Sequence, residues 1–294
     1  MAADLSMKPR TTDAAGVRFR AVREDAAASC ALQLIDIHLK NLDQLPCCGI
    51  TSSGHPGRLA KHRWMTENFR YGVRAKALMG PDGKPYGHIE YLPGEFAWRG
   101  VNAAGYMFIH CIWNHARKHQ HQGRGAAMLE ACIRDAKKEG MQGVAAITRQ
   151  GPWLADSRLY LQNGFQPVDA APPDYQLLAR KFTASAANPA FTGDWERKLA
   201  RYGQGLTLIR CGQCPYAVKF ADEIARTARE EYEMEPRLVE LGSCREAQDA
   251  PTPYAVFALI HEGRLLADHP ISRTRFRNIM NGLSGRQTAG KQRH

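Results

Sequence analysis

Two clusters of residues in this 294-residue chain have the types and spacing for chemistry. The first is Gln122-Gly123-Arg124-Gly125-Ala126-Ala127, which opens directly into an amphipathic stretch. A glycine-rich turn entering a helix aims several backbone N–H groups and the positive end of the helix dipole at one point. Small side chains let a diphosphate approach that backbone where a Cβ would block it. Arg117, Lys118 and Arg124 add positive charge. The alternative is a tight turn whose glycines serve packing alone. The second cluster is Cys211-Gly212-Gln213-Cys214, at the start of a helical pattern. Free N–H groups and the dipole there stabilise a thiolate and lower a thiol pKa. Half of a zinc ribbon is another reading, but only Cys244, His261 and His269 remain beyond it, so no metal is expected.

These residues need elements to hold them. Before residue 184 the pattern reads as strand, helix, helix, several strands, helix, strand, helix, strand. Residues 17–22 alternate like a half-buried strand, and 25–41 carry Ala28, Leu32, Leu34, Ile35 and Leu39 at helical spacing. A second helix is expected over 58–69, and a hairpin over 73–79 and 86–91 around Pro81-Asp82-Gly83. The run YMFIHCIW at 106–113 is too continuously apolar for an edge strand and should be central. Met128, Leu129, Cys132, Ile133 and Ala136 line one face of a helix over 124–139 that Gly140 ends. A short strand at 144–148 and a short helix at 156–162 follow.

Length and composition divide the chain. With 44% apolar residues, 294 residues suffice for two cores of ordinary size. Residues 184–205, rich in Ala, Ser, Asn, Pro and Gly, form the expected linker between a domain at 17–183 and a smaller one at 206–283. Residues 1–16 and 284–294 read as disordered tails. The longest apolar run, residues 254–260, is far short of a membrane span, and the first sixteen residues lack the apolar core of a secretory signal. A cytoplasmic protein with mostly reduced thiols is expected. The formal charge of +11 is uneven: 24 basic against 16 acidic residues up to Thr183, and 16 against 13 beyond it. An anionic ligand or nucleic acid in the first part, or a plain solvated basic surface, would each fit.

The order strand, Gln-x-x-Gly-x-Ala, helix, strand, then a helix ending in Tyr160-Leu-Gln-Asn-Gly164-Phe165 resembles the GNAT acyltransferase superfamily over about residues 17–183. A dinucleotide fingerprint would need Gly-x-Gly-x-x-Gly near the first strand and a later acid, which are lacking. The resemblance implies an α/β (α+β) mixed-sheet domain that takes acetyl-CoA as cosubstrate and acetylates an amine of a small molecule. It implies a pyrophosphate on residues 122–127 and a pantetheine arm along Cys111, Ile112 and Trp113. The loop at 114–121 is longer than usual, and Trp153 stands where many members carry Asn. Amine acetylation needs an acid for the departing thiolate and a base for the ammonium proton. Tyr160 fits the acid by position in the family. For the base, Glu90 ranks first, Glu95 second and His110 third, with a water chain as the alternative. Cys47-Cys48 are expected to be small residues at a helix end near the acceptor pocket.

In the second part, a strand at 206–210, Cys-x-x-Cys, a helix at 217–232, a strand at 255–260, a turn at Glu262-Gly263, a return strand and a final helix with Phe276, Ile279 and Met280 resemble the thioredoxin fold. That resemblance implies a cis bond at Thr252–Pro253. Either Cys211 and Cys214 form a redox pair, or Cys214-Pro-Tyr-Ala217 leaves Cys214 as a lone nucleophile. The pairing with Gln-Cys-Pro-Tyr and Arg-Thr-Arg-Phe-Arg-Asn-Ile resembles acetyltransferases with a YoaP-like C-terminal domain, which favours Cys214 and makes Cys211 optional. The second domain would bind or deliver a thiol-bearing acceptor, or assist homodimer formation. A thiol-disulfide oxidoreductase or sensor regulated by CoA binding is the competing class, and a nucleic-acid-binding protein, suggested by charge alone, a third.

Overall fold

A computed structural model describes residues 32–45, 48–50, 52–114, 123–283 and 285. The expected strand at 17–22, the N-terminal tail, nearly all of the C-terminal tail, Cys47 and Gln122 lie outside the described residues.

The continuous apolar run at 106–109 builds the centre of the first sheet. In β5 (Tyr106–Asn114), Met107 and Ile109 face one core while Tyr106 and Phe108 face the other, so the strand is buried on both sides. Around it lie β1 (Gln33–Ile37), β2 (Arg74–Met79), β3 (Pro85–Pro93), β6 (Gly143–Thr148), β7 (Gln166–Ala171) and β8 (Tyr175–Lys181). Their order is β1-β2-β3-β5-β6-β8-β7, antiparallel throughout except for the parallel pair β5–β6. The stripe Met128, Leu129, Cys132, Ile133 and Ala136 of α2 (Arg124–Lys138) packs on one face. Trp64 and Met65 of α1 (Pro56–Asn68) join the core on the other.

The second sheet, β11-β10-β12-β13, comprises β10 (Leu206–Arg210), β11 (Arg237–Glu240), β12 (Phe257–His261) and β13 (Arg264–Ala267). The β10–β11 pair is parallel and the other two are antiparallel. Between β10 and β11 runs α5 (Pro215–Tyr232), and α7 (Arg273–Leu283) closes the described chain. The apolar core that holds Trp64 and Phe108 continues without a break through Leu208, Ala217, Ala221 and Phe257, so both sheets share it. Among the described residues no helix is long and apolar enough to cross a membrane.

Three expectations are corrected here. The described part of the helix expected over 25–41 is a strand instead. Leu34 and Ile35 lie in β1, on the edge of β2, and Leu39 is exposed in the following turn. LQLIDI carries apolar residues at spacings that serve either period, and the free edge of β2 decides. Residues 184–205 are not a loose linker: β9 (Ala190–Phe191) pairs with β4 (Val101–Asn102), and α4 (Trp195–Ala200) buries Lys198, whose ammonium donates to Thr192 Oγ1 at 2.7 Å. The Thr252–Pro253 bond is trans; among the described residues the cis bond is Pro172–Pro173. Residues 252–255 turn back on themselves, with the Ala255 N–H donating to Thr252 O at 3.1 Å and Ala255 at φ 63°.

Candidate active site

The parallel strands β5 and β6 pair only from Tyr106–Gly143 to Ile109–Ala146. Beyond that point they part. The edge of β5 from His110 to Asn114 then faces a cavity of about 1210 Å³ instead of a neighbouring strand. Across the cavity lie Gly123–Ala126 at the start of α2, and residues 153–156 with Leu159 from α3 (Ser157–Leu161) and the loop before it. Gln213, Cys214, Tyr216 and Tyr254 of the second half complete the wall. The two clusters first singled out in the sequence therefore face the same space.

The helix entry carries no capping side chain. Gly123 takes φ 71°, which glycine adopts without strain, and caps α2 with no side-chain hydrogen bond. No acidic residue occupies the first turn. Arg124 is buried against Tyr86, its guanidinium carbon 4.4 Å from the ring centre, and its Nε and Nη1 groups have no hydrogen-bond partner among the described residues. Ala126 also lines the cavity, whereas Ala127 is exposed and does not. Gly125 answers to packing as well: a Cβ there would lie 2.8 Å from Leu159 Cδ1. An uncapped N-terminus beside a guanidinium with unspent N–H groups fits a diphosphate.

The proposed proton-handling residues are less uniform. Tyr160 is buried against Phe165, with ring centres 5.3 Å apart, and stands behind the cavity wall rather than in it. Burial, then the nearby Cys111 and Cys132, raise its pKa, so it keeps its proton. Glu90 is fully buried and does not line the cavity. Its carboxylate is ion-paired with Lys61, accepts from Gln213 Nε2 at 2.9 Å and lies 3.3 Å from His110 Nδ1. Burial alone would raise its pKa, but Lys61, His110 and His88 hold it well below the carboxylate range. His110 accepts the Trp98 N–H on Nε2 at 2.9 Å, which leaves Nδ1 as donor to Glu90. Burial lowers its pKa to about 4. Glu95 is exposed, accepts from the Gly105 N–H at 2.9 Å and lies off the cavity wall. The structure thus brings none of the three ranked bases to the cavity with a free lone pair.

At the second cluster, Cys214 lines the cavity and caps α5, with the Tyr254 hydroxyl 3.8 Å from its sulfur. Cys211 is buried and off the wall. The expected lowering of thiol pKa is corrected: burial pushes Cys211 up to about 12 and raises Cys214, outweighing the N–H groups at the helix start. Cys48 and Cys111 also line the cavity, and the neighbouring Cys111 thiol, then burial, raise the Cys48 pKa. Trp153 packs on Tyr216 and Phe220 of α5, with ring centres 5.3 and 5.8 Å away, so it joins the two halves.

Sequence reasoning missed Lys61, Arg99 and the central part of Gln213. Gln213 donates to Glu90, accepts from Arg99 Nη1 at 2.9 Å through Oε1, and accepts from Lys61 through its carbonyl at 2.6 Å. The signal was present: Lys61 shares a helical stripe with Trp64, Met65 and Asn68, a charge on a face that should be apolar.

A family model described as YoaP-like matches residues 237–278. The chain is 29% identical over 261 residues to the "Uncharacterized N-acetyltransferase YoaP" of Bacillus subtilis (strain 168), covering 85% of this chain and 99% of that one. Among solved structures, a putative GNAT-family acetyltransferase from Desulfovibrio desulfuricans aligns at 19% identity and TM-score 0.40, over 52% of this chain and 100% of that one. A putative acetyltransferase from Salmonella typhimurium, solved with acetyl-CoA, aligns at 16% identity and TM-score 0.39, over 53% and 97%.

Proposed function

We propose that the chain is an acyltransferase that moves an acetyl group from acetyl-CoA to the amine of a small molecule. One observation carries the reading. A single cavity brings together an uncapped helix N-terminus, the Arg124 side chain and the stretch of β5 from His110 to Asn114 beyond its last pairing with β6. The similarity to an N-acetyltransferase over 85% of the chain supports it. Acetyl-CoA supplies the activated acyl thioester. The backbone N–H groups of Arg124, Gly125 and Ala126 and the Arg124 guanidinium bind its diphosphate, in the loop to which Gln122 also belongs. The cavity-facing edge of β5 at Cys111, Ile112 and Trp113 hydrogen-bonds the amides of the pantetheine arm, as a sheet edge holds an added strand. Tyr160, kept protonated by burial and lying near the cavity-lining Cys111, hands its proton to the departing thiolate. Glu90 and His110 have their lone pairs engaged, so the ammonium proton leaves through water in the cavity.

The order of the second sheet, with α5 between the parallel strands and α7 after the antiparallel pair, supports a thioredoxin-like reading of that half. Its part here is to close the acceptor side of the cavity, with Cys214 in the wall. The oxidoreductase alternative is weakened by the buried, protonated Cys211.

Calorimetric titration with acetyl-CoA tests the cradle. Arg124→Met removes charge-assisted hydrogen bonds and should weaken binding about 10- to 100-fold. Unchanged affinity would remove the loop from the reading.

A further inference from the structure

Arg99 is a buried cation with no carboxylate partner among the described residues. It is 2% exposed and forms part of the cavity wall beside Gln213, His110 and Tyr254. Its three hydrogen bonds run to neutral oxygens. Nη1 donates to Trp98 O at 2.7 Å and to Gln213 Oε1 at 2.9 Å, and Nη2 donates to His110 O at 3.0 Å. Its Nε–H is buried and has no partner. The ring of Tyr254 lies 5.0 Å from the guanidinium carbon. Among the described residues no carboxylate pairs with Arg99, because Glu90, the carboxylate of this cluster, is taken by Lys61.

The other titratable groups around it do not supply the missing charge. His88 and His110 are neutral at pH 7, and the thiols of Cys211 and Cys214 are protonated. Two cations therefore face one carboxylate. A desolvated cation is strongly disfavoured until an anion joins it. The Nε–H and Nη2 groups lie along one edge of a guanidinium, the planar fork that matches the two oxygens of a carboxylate. The diphosphate cradle at Arg124 uses other residues of the wall, so the cosubstrate's phosphates do not account for Arg99.

We propose that Arg99 holds a carboxylate of the acceptor, which is therefore an amine that also carries a carboxylate: an amino acid or a close analogue. This rests on the acyltransferase reading of the same cavity. It adds to that reading the chemical class of the acceptor and the residue that selects it.

The test uses the full chain and matched compounds that differ at the carboxylate. Each proteinogenic L-amino acid is compared with its primary amide and its decarboxylated amine, and O-phosphoethanolamine serves as a phosphate-bearing amine. Acetyl-CoA consumption is followed, and calorimetric binding is measured with and without saturating CoA. In at least one set the acid should exceed its amide about tenfold or more in kcat/KM or affinity. Arg99→Lys keeps the charge without the fork, and should narrow the acid-to-amide ratio chiefly through the KM of the acid. Equal acid and amide in every set, binding of none included, overturns the proposal. So does preference for O-phosphoethanolamine, or an unchanged ratio in Arg99→Lys. If that variant does not fold, the comparison on the unaltered protein still decides. Failure of the acyltransferase reading looks different: acetyl-CoA does not bind and no amine is acetylated, while acid-over-amide binding without CoA still judges Arg99.

Discussion

His88 and Glu90 stand two apart on the same face of β3 and show opposite fates of buried polar groups. Glu90 is ionised and has partners on three side chains. Replacing Lys61 by Met strands that carboxylate and should cost about 3–5 kcal/mol in urea unfolding; adding Glu90→Leu should restore part of the loss. His88 instead has both ring nitrogens buried without partners, and burial lowers its pKa from 6.5 to about 4. His110 is lowered to the same region. In the unfolded chain both histidines bind protons near pH 6.5, and in the folded chain only near pH 4. Their contribution is therefore complete above pH 6.5 and is lost as the pH falls from 6.5 towards 4. The urea midpoint should drop between pH 7 and 5, and His88→Leu should make that drop shallower with little loss at pH 7. An equally steep fall in the variant would contradict this account of His88.

At the scale of elements, the crossing of α1 and the start of α5 governs how the halves meet. A Cβ on Gly57 would sit 2.2 Å from Pro215 O, and one on Gly212 would sit 2.7 Å from Ala60 O. Backbone oxygens cannot swing aside as side chains do. Gly57→Ala should therefore destabilise by about 1–3 kcal/mol, whereas Gly54→Ala, with nothing within 4 Å, should leave the thermal midpoint unchanged. Elements whose partners lie close in sequence were legible: the α2 stripe and its Gly140 stop, the β2–β3 hairpin, and the continuous run of β5. What depended on distant partners was not. The edge of β2 turned residues 33–37 into a strand, and β4, some ninety residues earlier, turned part of the expected linker into β9. At the site, the Gly123–Ala126 turn could be read from local chemistry. The direction of the thiol pKa shifts could not, because burial of Cys211 and Cys214 comes from packing that no local motif records.

Across the whole molecule one apolar core serves both sheets. Arg149 binds Asp268 at 2.6 Å, and Gln248 Nε2 donates to the Glu95 and Ala97 carbonyls at 3.0 and 3.2 Å. Unfolding should therefore be one cooperative event. The buried Cys132 thiol lies in the first half and the buried Cys211 thiol in the second, so labelling of each, read by mass after digestion, reports the two halves separately. The two urea curves should coincide; separated midpoints would show that the halves unfold independently.

The Gln213 amide gives this arrangement a history as well as a geometry. Protein synthesis runs from the N-terminus, so the first sheet leaves the ribosome while Glu90 and Arg99 still lack the amide that ties them together. Until residue 213 arrives, two ionised groups destined for burial remain in water's keeping. The cleft is thus finished late in translation, and a nascent chain stalled near residue 205 would lack the residues that complete the pocket.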